Sequence, residues 1–194
     1  MNIYIKLIYI SIFLLYNSGI HSQTRLKNAS FEGQHGDASM PFGWYGESEG
    51  TTPDILPGYW GVYIEPLDGE SYVGLITRED GTYESIGQRL PLPLNKKTCY
   101  QMSVDLARSE DYSGYNKAIK LRIWISDKRS ERQQLIYESP VIDSEEWHNY
   151  KFEFTPDSKK THIILEAFIN DKALSYKGNI LIDKLSAIKV CHRA

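Results

Sequence analysis

Only two cysteines, Cys99 and Cys191, occur in 194 residues. That number excludes a scaffold stapled by several disulfides, and the absence of any C-x-x-C pair removes the usual zinc and redox motifs. Positive charge is scarce as well: 22 Lys and Arg stand against 25 Asp and Glu, a formal net charge of −3. No basic stripe runs along the chain, which argues against a nucleic-acid partner. The clusters Lys96-Lys97, Lys128-Arg129 and Lys159-Lys160 stand at turn signals and read as solvated loop ends. Helix-like periodicity, internal repeats and low-complexity tracts are missing. There is no G-x-S-x-G elbow, and His35, His148, His162 and His192 are scattered.

One long apolar run exists, and it lies at the start. Lys6, the stretch Leu7 to Tyr16, and Ile20-His21-Ser22 follow the order of a charged start, an apolar core and a small residue before a cut. The run is too short for a permanent membrane span. Residues 1–22 therefore read as an export signal cleaved before Gln23; a buried N-terminal strand is the alternative. No Cys lies near that cut to carry a lipid. Removing 22 of 194 residues leaves 172, residues 23–194, enough for one domain with a real core. The predicted location is exported: periplasmic, cell-surface-associated or extracellular, without stable membrane insertion. Asn28-Ala29-Ser30 also matches the glycosylation acceptor pattern.

In an oxidising compartment Cys99 and Cys191 read as one structural disulfide; two separate buried thiols or a reactive one are the alternatives. Cys99 opens one strand and Cys191 closes the last, each on an outward face. If the two strands are antiparallel neighbours, the sulfurs meet.

From Phe42 to Gly74 the chain is rich in Gly, Pro and aromatic residues, as in Gly43-Trp44-Tyr45-Gly46 and Pro57-Gly58-Tyr59-Trp60-Gly61. These are ordered turns, since large rings need neighbours to pack on. Strands are predicted over 71–76, 83–90 (closed by Pro91 and Pro93), 99–106, 119–125, 148–154 and 161–168. Within 99–106 the period is two: Tyr100, Met102, Val104 and Leu106 share one face. The last strand spans 180–191 and needs a bulge, because its apolar positions change parity. The fold class is all-β, a single-domain β-sandwich of jelly-roll type.

Some motifs carry a family likeness. Asn28-x-Ser30-Phe31-Glu32, Trp44, Trp147-x-x-Tyr150 and Ile182-Asp183-x-Leu185 resemble the galactose-binding-like jelly rolls of carbohydrate-binding modules. Thr52-Pro53-Asp54, Tyr72-Val73-Gly74-Leu75, Glu84-x-Ile86-x-Gln88-x-Leu90 and Pro93-Leu94 before Cys99-Tyr100 look like a group of exported Bacteroidetes proteins. The resemblance implies a structural calcium ion near the chain termini, held partly by Glu32 and Asp183; ordinary edge-strand charge is the other reading. Calcium takes six to eight oxygens, which carboxylates and carbonyls supply.

For catalysis the raw materials are the carboxylates Glu47, Asp54, Glu65, Asp68, Glu84 and Asp111, a number expected in any chain this acidic. For binding they are better. Sugar C–H faces stack on flat aromatic rings, and Tyr59, Trp60 and Tyr112 stand amid turn signals at one end of the expected sandwich. Such rings also serve as end plugs of a core, the reading preferred for Trp44. Trp124 lies between inward-facing Ile123 and Ile125, so its ring belongs on an outer face. The expectation is a non-catalytic exported module that binds a cell-envelope or extracellular glycan through Tyr59, Trp60, Tyr112 and Trp124. The alternative is a structural or assembly protein of the envelope that holds another protein, for which a flat hydrophobic patch around Trp124 would speak.

Overall fold

Alternating apolar residues build the strands, and turn residues end them. The computed structural model describes residues 23–169 and 176–191. The predicted signal, residues 1–22, lies outside the described residues. Thirteen strands follow in order: β1 (Gln23–Thr24), β2 (Tyr45–Gly46), β3 (Asp54–Leu56), β4 (Tyr72–Thr77), β5 (Ser85–Leu94), β6 (Tyr100–Ala107) and β7 (Lys117–Ala118). Then come β8 (Lys120–Ser126), β9 (Gln134–Glu138), β10 (His148–Phe154), β11 (Lys160–Phe168), β12 (Gly178–Asp183) and β13 (Ile188–Val190). No helix is present among the described residues, and so none is long and apolar enough to cross a membrane.

The strands form two sheets, antiparallel except for the short β7–β12 pairing. In the first, β6 pairs with β10 along one edge and with β12 and then β13 along the other. β12 continues to β4 and β3, and β1 pairs with β13. The second sheet runs β2-β5-β11-β8-β9. Between them, Val73, Leu75, Met102, Val104, Leu106, Ile180 and Ile182 meet Ile86, Leu121, Ile123, Ile125, Ile163 and Leu165. Each such buried side chain contributes about 2 kcal/mol of hydrophobic free energy, enough in sum to fix which face turns inward. The inward positions expected for strand 99–106, Tyr100, Met102, Val104 and Leu106, are all buried, as is Asp105 on the opposite face.

Several local features depart from the sequence reading. β5 does not stop at Pro91 but runs on to Leu94. Its ladder with β11 jumps from Arg89↔His162 to Leu94↔Lys160, so both prolines sit where no ladder bond is needed. The last strand is broken in two. Asp183 opposes Asp105 and Lys189 opposes Gln101, so the C-terminal side holds two extra residues, accommodated around Lys184 in a left-handed conformation (φ 49°). Lys160 is buried, not solvated: its ammonium is held by Asp157 at 2.8 Å and by the Gln133 side chain at 3.2 Å.

Cys99 and Cys191 are joined, with Cα atoms 5.4 Å apart, and the Cys191 N–H donates to the Cys99 carbonyl at 3.0 Å. Trp44 is an end plug, 5.1 Å from the Phe31 ring, with its indole N–H on the Asn28 carbonyl. The Asn28 side chain itself brackets the backbone N–H and carbonyl of Glu32, so its amide nitrogen is committed to that turn.

A second, smaller core lies on the outer face of the first sheet. Leu56, Tyr72, Tyr112 and Leu181 pack there with Val62, and Trp147 meets Tyr72 edge to face at 5.1 Å. Beside β6 and β10 the same sheet bears an open hollow of about 540 Å³ with mixed walls, Gln101, Ser103, Lys151, Glu153 and Lys189 alongside Met102 and Phe152.

Candidate functional site

The turn that carries Trp60 is built by its glycines. Gly58 and Gly61 hold φ of 105° and 88°, and Trp60 between them also adopts a left-handed conformation, φ 58°. For a bulky residue that conformation costs roughly 1–2 kcal/mol. The Gly58 N–H donates to the Val62 carbonyl and the Val62 N–H to the Tyr59 carbonyl, closing the turn. Val62 is buried in the outer core, so the turn is anchored from below while Trp60 stays 44% exposed.

Trp60 forms one wall of a cleft of about 260 Å³, with Thr52, Asp54, Arg78, Tyr112 and Tyr115 around it. Tyr112 makes the floor. Its ring lies on Gly74 of β4, where any Cβ would run into the Tyr112 hydroxyl and Leu56. The Tyr112 hydroxyl donates to Asp54 Oδ2 at 2.6 Å, and the Ala38 N–H donates to Asp54 Oδ1 at 2.8 Å. Burial raises the Asp54 carboxyl to about 6 despite those two donors. Burial, and then the Asp54 charge, push the Tyr112 phenol well above its ordinary value. On the opposite wall, Arg78 pairs with buried Glu84 at 2.6 Å and donates to the Gly50 carbonyl and the Thr52 hydroxyl. Glu84 also accepts from the N–H groups of Thr52 and Ile76, which fixes the guanidinium in place. The result is an aromatic ring beside a rigid set of donors and acceptors.

The structure brings together only part of what the sequence suggested. Trp60 and Tyr112 share the cleft, but Tyr112 is no exposed platform: its ring is 2% exposed, because the outer core needs it as filling. Tyr59 is exposed on the same turn without walling the cleft. Trp124 stands apart on the outer face of the second sheet, half-buried, its indole N–H donating to Glu166 at 3.3 Å. Across the ladder it faces Leu135, itself 39% exposed, and the Arg122 guanidinium lies 5.9 Å from the centre of its ring. Arg78 went unnoticed in the sequence: an Arg closing a strand is indistinguishable from a solvated one until Glu84 is placed beside it.

Glu32 and Asp183 grip the same turn from two sides. Asp183, fully buried, accepts the N–H groups of Leu67 and Asp68 on Oδ2 at 2.9 and 3.0 Å, and that of Lys184 on Oδ1. Glu32 Oε2 accepts the Glu70 N–H at 3.0 Å. Glu32 Oε1 is buried and has no hydrogen-bond partner. Such an orphaned oxygen carries a desolvation cost, and a hard cation is one way to relieve it. Of the pair, only Glu32 Oε1 is left without a partner; both oxygens of Asp183 already accept backbone N–H groups.

A sequence model of the family described as Carbohydrate binding domain matches residues 25–173. The chain belongs to that family. No curated protein sequence matches it. Among solved structures, the CBM22-1 xylan-binding domain of Xyn10C from Paenibacillus barcinonensis is similar at 15% identity, covering 90% of this chain and 97% of that one, with a TM-score of 0.54. A cyclase from Fischerella sp. TAU is similar at 14% identity, covering 89% and 99%, with a TM-score of 0.59. A cleaved adhesin domain of Lys-gingipain from Porphyromonas gingivalis is similar at 11% identity, covering 84% and 96%, with a TM-score of 0.52. At such identities the likeness is one of fold: a carbohydrate-binding-module-like β-sandwich. That fold serves binding modules and enzymes alike, so it does not by itself decide between them.

Proposed function

We propose that this protein is a non-catalytic exported module that binds a cell-envelope or extracellular glycan in the cleft beside Trp60. One observation carries the reading: an exposed indole is held in a strained backbone conformation at the mouth of a cleft whose polar groups are fixed in advance. Strain kept at an exposed aromatic is spent on orientation, and a fixed ring beside fixed donors is what a sugar's C–H face and hydroxyl rim require. Family membership supports the same ligand class. Two carboxylates beside the cleft are engaged, Glu84 with Arg78, Thr52 and Ile76, and Asp54 with Tyr112 and Ala38, while Asp37 stands exposed at its rim. Export is supported by the signal-like residues 1–22 and by the Cys99–Cys191 bond, which suits an oxidising compartment. A structural calcium ion at Glu32 and Asp183 belongs to the same proposal.

A glycan array probed with residues 23–194, followed by calorimetric titration of the strongest hit, tests the reading. Binding is expected, and Trp60→Ala should weaken it at least tenfold with the melting curve nearly unchanged. No hit on the array, or a hit indifferent to Trp60→Ala, would overturn the assignment of this cleft.

A further inference from the structure

The chain as a whole is acidic, yet its cations are not evenly spread. Lys27, Arg89 and Lys159 line a cleft of about 360 Å³ at the rim of the second sheet, together with Leu90, Pro91, Pro93 and Thr161, and no acid contributes to its walls. Arg89 stands directly across from His162 in the β5–β11 ladder. Arg129, from the loop after β8, places its guanidinium 4.1 Å from the centre of the Tyr45 ring on the same outer face. Arg89 and Arg129 both depress the His162 imidazole after burial, which marks them as neighbours in one field. None of Lys27, Arg89, Arg129 and Lys159 forms a salt bridge among the described residues.

The nearby acids are engaged or buried. Asp157 is taken by Lys160, while Asp127, hydrogen-bonded to the neutral Gln133 amide, keeps its charge and offsets part of the field at His162. Glu47 is buried beneath this face against Gly87, where it offsets part of the positive field without reaching solvent. The cleft is also pre-formed. The Gln88 side chain brackets both the N–H and the carbonyl of Lys27, pinning that segment to β5, and the ladder jump between Arg89 and Leu94 opens the gap that the cleft occupies. Four unpaired cations from four separate segments, gathered on a protein of net charge −3, make a local attractor for oxyanions.

We propose that this basic cleft is a second binding site, distinct from the one beside Trp60, and that it takes the carboxylate or sulfate groups of an acidic polysaccharide. Its size suits one or two sugar rings. The apolar walls of Leu90, Pro91 and Pro93 offer surface to C–H faces, while Lys27, Arg89 and Lys159 offer donors to the oxyanions. A cleft of about 360 Å³ admits a single sugar strand, whereas a bilayer surface or a DNA duplex is too broad to enter it.

The test uses residues 23–194 and four probes: polygalacturonate for carboxylate, dextran sulfate for sulfate, phosphatidylglycerol vesicles and duplex DNA, with plain dextran as the blank. One or both acidic polysaccharides should bind at 50 mM salt, and the three cleft contacts predict roughly twentyfold weaker binding at 200 mM. Arg89→Ala combined with Lys159→Ala should cut the affinity at least tenfold and flatten the salt dependence, with an unchanged melting curve. Trp60→Ala should leave this binding intact, so failure of the Trp60 site and failure of this one give different results. Absence of polysaccharide binding at 50 mM salt, or equal binding by the double variant, overturns the proposal. Vesicles or DNA bound as tightly as the best polysaccharide overturn it too, since the site would then read charge alone.

Discussion

The backbone N–H of Ser113 donates to the carbonyl of Trp60 at 3.0 Å, and both residues hold left-handed conformations, φ 48° and 58°. Two strained positions from loops far apart in sequence thus stabilise each other at the mouth of the cleft. Neither conformation is a local preference of Ser or Trp, so the pairing depends on the outer core beneath it, where Val62 and Tyr112 are buried.

Trp60→Gly follows from that relationship. Glycine adopts φ near 58° without cost, so the variant should fold with stability equal to or slightly above that of the parent, within about 1 kcal/mol. Glycan binding should still be lost. Chemical unfolding with parallel titration reads both; a destabilisation of about 3–5 kcal/mol would instead mark Trp60 as a core ring.

Asp54 predicts a pH dependence of stability. Its folded carboxyl sits at about 6 against an ordinary value of 3.8, so the folded state holds this proton more tightly than the unfolded chain. Between pH 4 and 6 the unfolded chain releases its proton first, and stability falls as pH rises through that window. Asp183, also raised to about 6, acts in the same direction. Buried Glu84 is raised too, so Asp54→Asn should flatten the decline without abolishing it, measured as urea midpoints from pH 4 to 7. An unaltered slope would show that Asp54 ionises normally.

Calcium should raise the melting temperature, because an ion held only by the native Glu32–Asp183 region shifts unfolding by mass action. At 100 times its dissociation constant the gain is about 2.7 kcal/mol. Melting with millimolar calcium and then with excess chelator checks this, and Glu32→Gln should abolish the difference. Identical midpoints throughout would leave Glu32 as a turn anchor alone.

The Cys99–Cys191 bond closes a span of 92 residues, for which loop entropy predicts about 4–5 kcal/mol and practice usually gives less. Cys99→Ala with Cys191→Ala should lower stability by about 2–4 kcal/mol while unfolding stays cooperative. A negligible loss would mean that the C-terminal strand is already held by its pairing with β6.

The two-residue period of Tyr100-Met102-Val104-Leu106 was enough to read an all-β sandwich, because burial of one face per strand is a local rule; the parity change after Ile182 showed an irregularity there, but not that the strand breaks in two. Trp44 as an end plug was legible from the packing needs of a large ring, and the Cys99–Cys191 bond from two cysteines in a chain read as exported. Beyond that the sequence was silent, since the candidate sites are made by residues distant along the chain. Asp54 reaches Tyr112 across 58 positions, and Arg78 gains its meaning from buried Glu84. Lys27, Arg89, Arg129 and Lys159 look like isolated solvated charges until a ladder jump in β5 and the loop after β8 gather them on one face. Alternation is written between neighbours and can be read one strand at a time. Which loops meet, and which charges lose their partners, is set by sheet order and outer-face packing, and only the tertiary structure decides those.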